Sequence, residues 1–322
     1  MTLAMLDQNG FLYVLSITSP IFILILIGYG AVRYGILQKE GMRTLGAFVV
    51  NFGLPAAIFK ALSERSFQDI LHLDYLLTYG LGSLLAFSLI LMYAKVYRRK
   101  SLTESAMFGM GSSFSNSLMV GYPIIFQLFG PAALVPFALT LIVENFFLMP
   151  LALALADTGG KKDERFVKAL LQSLPQLLKN PIIIAIALGV LCSLLSIQLP
   201  PVVTKVVDMF AVTVGGVALF TIGGILVGIK VRGMMQDIGI LVAAKLILHP
   251  ACIFLMMLLM PPMDPVFQGV ALVLACMPMF SIFAVIGQRY NMGSLCAAVL
   301  LPATLFSFLT INIMVWLLSL PG

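Results

Sequence analysis

Residues 115 to 123 read S-N-S-L-M-V-G-Y-P, and they interrupt a run that is otherwise apolar for the length of a membrane crossing. Ser115, Asn116 and Ser117 carry short polar side chains that compete for backbone hydrogen bonds, while Pro123 lacks an amide proton and crowds the preceding turn. In hydrocarbon each unpaired backbone group costs several kcal/mol, so irregular chain at this depth persists where it is buried in protein or lines a watery cavity. The stretch therefore predicts a broken membrane helix whose polar groups have something to bind.

The rest of the chain supports that solvent. Of 322 residues, 61% are hydrophobic and 10% charged, with a mean hydropathy of +1.09; a soluble domain is about 45–50% apolar and about 25% charged. Apolar runs of roughly 20 residues match the thickness of a bilayer core. Ten are expected, near Phe11–Val32, Thr44–Leu62, Tyr75–Tyr97, Thr103–Phe129, Ala132–Ala156, Pro181–Ile197, Val202–Ile229, Ile238–Met260, Val266–Gln288 and Ser294–Leu318. The fold class expected is an all-α polytopic membrane protein with a single membrane domain. No basic residue precedes the first run and no small-x-small site follows it, so it is read as a retained span rather than a cleaved signal.

The net charge of +6 would suit a nucleic-acid surface, but its distribution points to topology and to no nucleic-acid partner. With both termini outside, 15 of the 19 Lys and Arg residues fall in alternate loops, three (Lys60, Arg65, Lys205) fall in the opposite loops, and Lys245 lies within a span. That bias is the positive-inside pattern. The segment Asp157–Asn180 divides the spans five and five, giving repeats over residues 1–156 and 181–322 joined by a cytoplasmic linker. Odd-numbered halves that share a fold must insert in opposite senses, the inverted repeat of many secondary transporters. Pro123 in span four then corresponds to Pro278 in span nine, within A-C-M-P-M-F-S-I-F. Broken helices would present positive half-helix N-termini to a cavity there, which favours anions.

These residues resemble the auxin efflux carrier family, which includes plant auxin carriers and bacterial carboxylate permeases. The resemblance rests on S-N-S-L-M-V-G-Y-P, on F-V-V-N-F-G-L-P at Phe48–Pro55, on N-P-I-I-I-A-I-A-L-G-V at Asn180–Val190, on K-L-I-L-H-P at Lys245–Pro250 and on G-Q-R-Y-N at the end of span nine. It departs where the family often has Asn-Thr-Gly, here Asn116-Ser117-Leu118, and where it often has a double proline, here Pro278-Met279. The resemblance implies a fold shared with bile-acid symporters and sodium/proton antiporters, in which helices four and nine are broken and cross. Spans three to five and eight to ten would form a transport domain, and spans one, two, six and seven a scaffold and homodimer interface. It also implies elevator-type alternation and a plasma membrane location, the inner membrane in bacteria.

The expected substrate is a small organic anion, a mono- or dicarboxylate such as malate or malonate. Its expected ligands are Asn116, Ser115, Ser281 and main-chain groups near Pro123 and Pro278, with Glu144, Asn145, Lys245 and Asn51 as further candidates. An unpaired carboxylate mid-membrane costs at least about 2.5–3.5 kcal/mol, so Glu144 reads as a proton-coupling or site-shaping residue, or as half of an ion pair with Lys245. Lys245 reads equally as an anion ligand or as a snorkelling side chain. His249 is a candidate proton relay or a partner for a carbonyl freed by Pro250. Arg289, Gln288 and Tyr290 read as interfacial anchors. The glycines of span seven fit a helix contact, either between protomers or within one.

Enzymatic and metal chemistry find no pattern. There are two histidines, His72 and His249, and four cysteines, Cys192, Cys252, Cys276 and Cys296, with no C-x-x-C spacing; H-E-x-x-H, G-x-S-x-G and P-loop motifs are missing. No cofactor and no metal are expected beyond a coupling proton or sodium ion. Two rivals stay open: a cation-coupled exchanger or symporter of the same fold, and a membrane sensor that binds without transporting.

Overall fold

The computed structural model describes residues 10–65, 70–158, 179–229 and 234–319. Most of the linker expected over 157–180 lies outside the described residues, as do Lys230 and Arg232. Helices account for the described chain as α1 (Gly10–Arg33), α2 (Lys39–Ser63), α3 (Leu73–Tyr97), α4 (Leu102–Ser113), α5 (117–129), α6 (134–158), α7 (Pro181–Leu194), α8 (Pro201–Ile225), α9 (Met235–Leu259), α10 (Pro265–Ala275), α11 (Phe283–Arg289) and α12 (Gly293–Leu318). Among the described residues six stretches are long and apolar enough to cross a membrane, and three shorter helices are apolar. One of the six, Ser117–Asp157, is 41 residues long, about twice what a bilayer core requires. It is a hairpin: Gly130 adopts φ +61°, and Ser117 meets Glu144 on the way back.

Helix starts follow local chemistry. Ser101 and Glu104 form a reciprocal capping box at α4, and Asn180 and Asp264 cap α7 and α10, each followed by a proline in the first turn. Both devices satisfy or remove amide protons that a helix start leaves unpaired.

Four of the prolines inside the helices follow a widened turn, whereas Pro20 sits in regular α-helix and a fifth such turn, Tyr93–Tyr97, precedes no proline. Wide turns occupy Val49–Gly53, Ser117–Gly121, Val143–Leu148 and Ala244–Leu248, and each ends two residues before a proline: Pro55, Pro123, Pro150 and Pro250. The residue preceding each proline donates five residues back, as Tyr122 does to Ser117 and His249 to Ala244. Proline cannot bond to the carbonyl four residues back and its ring crowds that group; an extra residue in the turn relieves the clash, as in the wide turns common at functional sites. Asn51, Ser117, Glu144, Asn145 and Lys245 all sit in these turns.

The first helix interruption lies upstream of Pro123. Helix α4 ends at Ser113, Phe114 is extended, and the chain becomes helical again at Ser117. Pro123 thus falls in the first regular turn after the break rather than at it, because the Ser-Asn-Ser side chains, and not the proline, interrupt the ladder. Pro278 does lie in its break, which separates α10 from α11. Ser115 bridges to Met279 of the second break, so the chain that meets Pro278 is the Ser115–Asn116 step rather than Pro123.

Helix α1 packs on α8, α2 on α7 and α8, α3 on α4 and α9, and α4 on α6. The closest approach uses glycines: a Cβ on Gly28 would lie 1.9 Å from the Phe220 carbonyl oxygen, and one on Gly223 would lie 1.8 Å from that of Ile25. Gly224 abuts Met42, and Gly228, at φ +77°, sits in the turn after α8. These three span-seven glycines therefore serve contacts and a turn within the protomer, whereas Gly215 and Gly216 face open space. Thr18 of α1 donates to Asn312 of α12 in a buried bond.

Candidate functional site at the helix crossing

Where the two breaks meet, the chains pair as strands for one step. Ser115 and Met279 form an antiparallel bridge, and the Asn116 N–H donates to the Pro278 carbonyl at 2.8 Å. Successive residues of extended chain point to opposite faces, which separates Ser115 from Asn116. Ser115 faces a buried ionic bed; Asn116 faces the other break.

The bed is built on α3, α6 and α9. Glu144 accepts from Ser117 Oγ at 3.0 Å, from Tyr79 Oη at 3.2 Å and from the Ser115 N–H at 3.3 Å. The Lys245 ammonium donates to Ser115 Oγ at 3.0 Å, to His249 Nδ1 at 2.8 Å and to the Ala275 carbonyl at 2.7 Å, which uses all three of its protons. With Nδ1 accepting, His249 carries its proton on Nε2 and donates to Ser83 Oγ at 2.9 Å. Lys245 and His249 are 0% exposed and Glu144 5%, so these charges are held by partners rather than by solvent. Snorkelling is excluded for Lys245 by that burial.

Each charge lies where a half-helix end favours it. Ala275 is the last residue of α10, where the macrodipole is negative, and Lys245 binds its carbonyl; Glu144 accepts from groups at the positive start of α5. Ser115 stands between the two charges, giving its N–H to one and its hydroxyl oxygen to the other. Tyr75 and Thr140 extend the bed at 2.7 Å, and the rings of Tyr75 and Tyr79 stack.

On the opposite face Asn116 Nδ2 donates to Ser281 Oγ at 2.9 Å, and Asn116 Oδ1 caps Met119 N–H at 3.3 Å. Ser281 is half-buried, so this is the side on which the crossing meets accessible space. A cavity of about 870 Å³ lies between the end of α2, the first half of α8 and the part of α5 from Tyr122 and Pro123 onward.

The expected residues thus separate into groups. Asn116, Ser115, Ser281, Pro278, Glu144, Lys245 and His249 converge on the crossing. Asn51 and Asn145 do not join it by hydrogen bonds; each amide bonds to its own helix, at Ala47 and Leu141. Arg289 and Tyr290 pair with Asp157 at the end of α6, away from the crossing. The sequence reading missed Tyr79 and Ser83, and left Ser117 uncommitted. The signal for the first two was legible: Tyr75, Tyr79 and Ser83 recur every four residues, a polar stripe along one face of an apolar helix. Cys252, Cys276 and Cys296 are buried and Cys192 is half-buried. Among the described residues no group of three His, Cys, Asp or Glu could hold a metal ion.

Known proteins resemble this chain along most of its length. Residues 13–315 match the family described as membrane transport protein. A Rhizobium meliloti (strain 1021) protein described as "Putative malonate transporter" is 30% identical over 303 residues, covering 93% of this chain and 94% of that one. The lysosomal cholesterol signaling protein of Mus musculus is 24% identical over 93% of this chain and 37% of its own length. The uncharacterized transporter YfdV of Escherichia coli (strain K12) is 22% identical over 78% of this chain and 84% of its own.

Proposed function

The chain belongs to the membrane transport protein family, that of the auxin efflux carriers, and from that premise we propose that it is a secondary carrier of a small dicarboxylate of the malonate or malate class. The observation that carries this reading is the crossing itself: Asn116 and Ser281, one from each break, are hydrogen-bonded to each other on its accessible face. A carboxylate entering there would replace the Asn116–Ser281 bond with bonds from both side chains, beside the positive start of α5. The description of the rhizobial relative supports the substrate class.

The wider arrangement belongs to the same proposal. Ten spans in two inverted repeats, termini outside and a bacterial inner-membrane location account for the loop charges. A scaffold of spans one, two, six and seven, paired as a homodimer, would carry a transport domain that moves as an elevator, with Asn116 exposed to alternate sides. A sodium-coupled version is less well supported, because the Ala275 carbonyl at the crossing already accepts from Lys245. The sensor reading has one observation in its favour, the name of the murine relative.

Counterflow in proteoliposomes tests the proposal. Liposomes loaded with unlabelled malonate should accumulate labelled malonate transiently, without ATP and without a sodium gradient. Saturable malonate binding with no counterflow would leave the sensor reading standing and remove this one.

A further inference from the structure

Beyond the crossing, the cavity of about 870 Å³ carries charge of its own. Lys60 of α2 and Asp208 of α8 form an ion pair in its wall, and Glu64 and Arg65 lie at the end of α2 on the same cavity. Its far side is α5 from Tyr122 and Pro123 through Phe126 and Gln127, and the turn at Pro131; Asn116 lies two turns up the same helix and does not line it. Lys60 and Asp208 are 37% and 44% exposed, so water reaches both and the pair is worth little to the fold. Two cations and two carboxylates make the space neutral overall, yet the Lys60 ammonium is within reach of anything that displaces one carboxylate.

We propose that Lys60 is the recruiting and specificity-determining group for the anionic substrate, and that Asp208 acts as a built-in competitor that occupies Lys60 until a substrate carboxylate takes its place. This rests on the carboxylate-carrier reading above. The physical logic is that a permeating ion must be attracted strongly enough to enter and weakly enough to leave. A free lysine in a partly desolvated pocket would hold a dianion; one already paired offers only the difference between two carboxylates. A dicarboxylate keeps one charge for Lys60 while the other points inward along α5, so charge number is read at the entrance.

The test is the sign of two substitutions in labelled malonate uptake by the full-length protein. Asp208→Asn should raise kcat/KM and Lys60→Gln should lower it, each by about two- to fivefold, the range of an exposed pair. In both variants the change should sit in KM with kcat held. Lys60→Gln/Asp208→Asn should match Lys60→Gln, since Asp208 acts through Lys60, and Lys60→Arg should restore uptake. Both effects should shrink at high ionic strength and should be smaller for a monocarboxylate than for malonate. If the pair only ties α2 to α8, the two single variants shift in the same direction, through kcat and thermal stability, and the proposal fails. It fails also if neither variant moves KM. Loss of malonate flux in the native protein itself would instead remove the carboxylate reading, and this inference with it.

Discussion

Lys245 binds the carbonyl of Ala275 at 2.7 Å, placing its ammonium group on the end of the half-helix that stops at the crossing. The arrangement solves a problem created by breaking a helix in a membrane, because the terminal carbonyls lose their intrahelical partners and water is scarce. It also couples two elements far apart in sequence, since the same ammonium bonds Ser115 in the other break. One side chain thus holds both interruptions.

Removing that charge should therefore cost more than removing the pair of charges. Lys245→Met leaves Glu144 without its compensating cation, and breaking a buried charge arrangement from one side costs about 3–5 kcal/mol. Glu144→Gln/Lys245→Met should be more stable than Lys245→Met alone, with a coupling of roughly 1 kcal/mol or more. Thermal unfolding of purified protein in detergent measures all four corners of the cycle, and additive losses would show that the two charges do not sense each other.

Asn116 serves two roles that substitution separates. Asn116→Ala removes both the bond to Ser281 and the cap on Met119, so uptake should be abolished and stability should fall by about 1 kcal/mol. Asn116→Ser keeps a capping oxygen in a shorter side chain; it should recover the stability and not the uptake. Wild-type uptake by Asn116→Ala, at equal amounts of folded protein, would remove Asn116 from the substrate site.

The contact between α1 and α8 predicts a contrast between neighbouring glycines. Gly223→Ala would place its methyl 1.8 Å from the Ile25 oxygen, so the helices must separate, at a cost of about 1–3 kcal/mol or more. Gly216→Ala meets nothing within 4 Å and should be neutral or stabilising by up to about 1 kcal/mol. Equal melting temperatures for the two variants would contradict the packing described.

At the other end, Arg289 pairs with Asp157 while its side chain remains 64% exposed. Arg289→Gln should change stability by less than about 1 kcal/mol and leave malonate uptake within twofold. A larger loss of uptake with stability intact would assign this pair a part in transport.

Much was legible before any coordinates. Apolar runs and loop charges set the solvent, and the expected spans beginning at Pro181 and Val266 start at or one residue from the observed helices, because caps and prolines act on their own backbone neighbours. The polar interruption at Ser115–Pro123 was visible for the same reason, but its centre was misplaced by one to two turns. A proline in sequence announces a disturbed ladder without saying whether the chain will unwind or merely widen a turn, and Pro123 widened one.

What the sequence determined on its own was local: where helices begin, where a proline must disturb them, and that Asn116, Glu144 and Lys245 lie in apolar surroundings and need partners. Tertiary structure decided which partners. Ser115 meets Lys245 across 130 positions and Ser83 meets His249 across 166, while Asn51 and Asn145 turn back to their own helices. Periodicity fixes the face a residue takes on its own helix, but which helix covers that face follows from packing, here from two glycine-lined contacts and one strand-like step between broken rods.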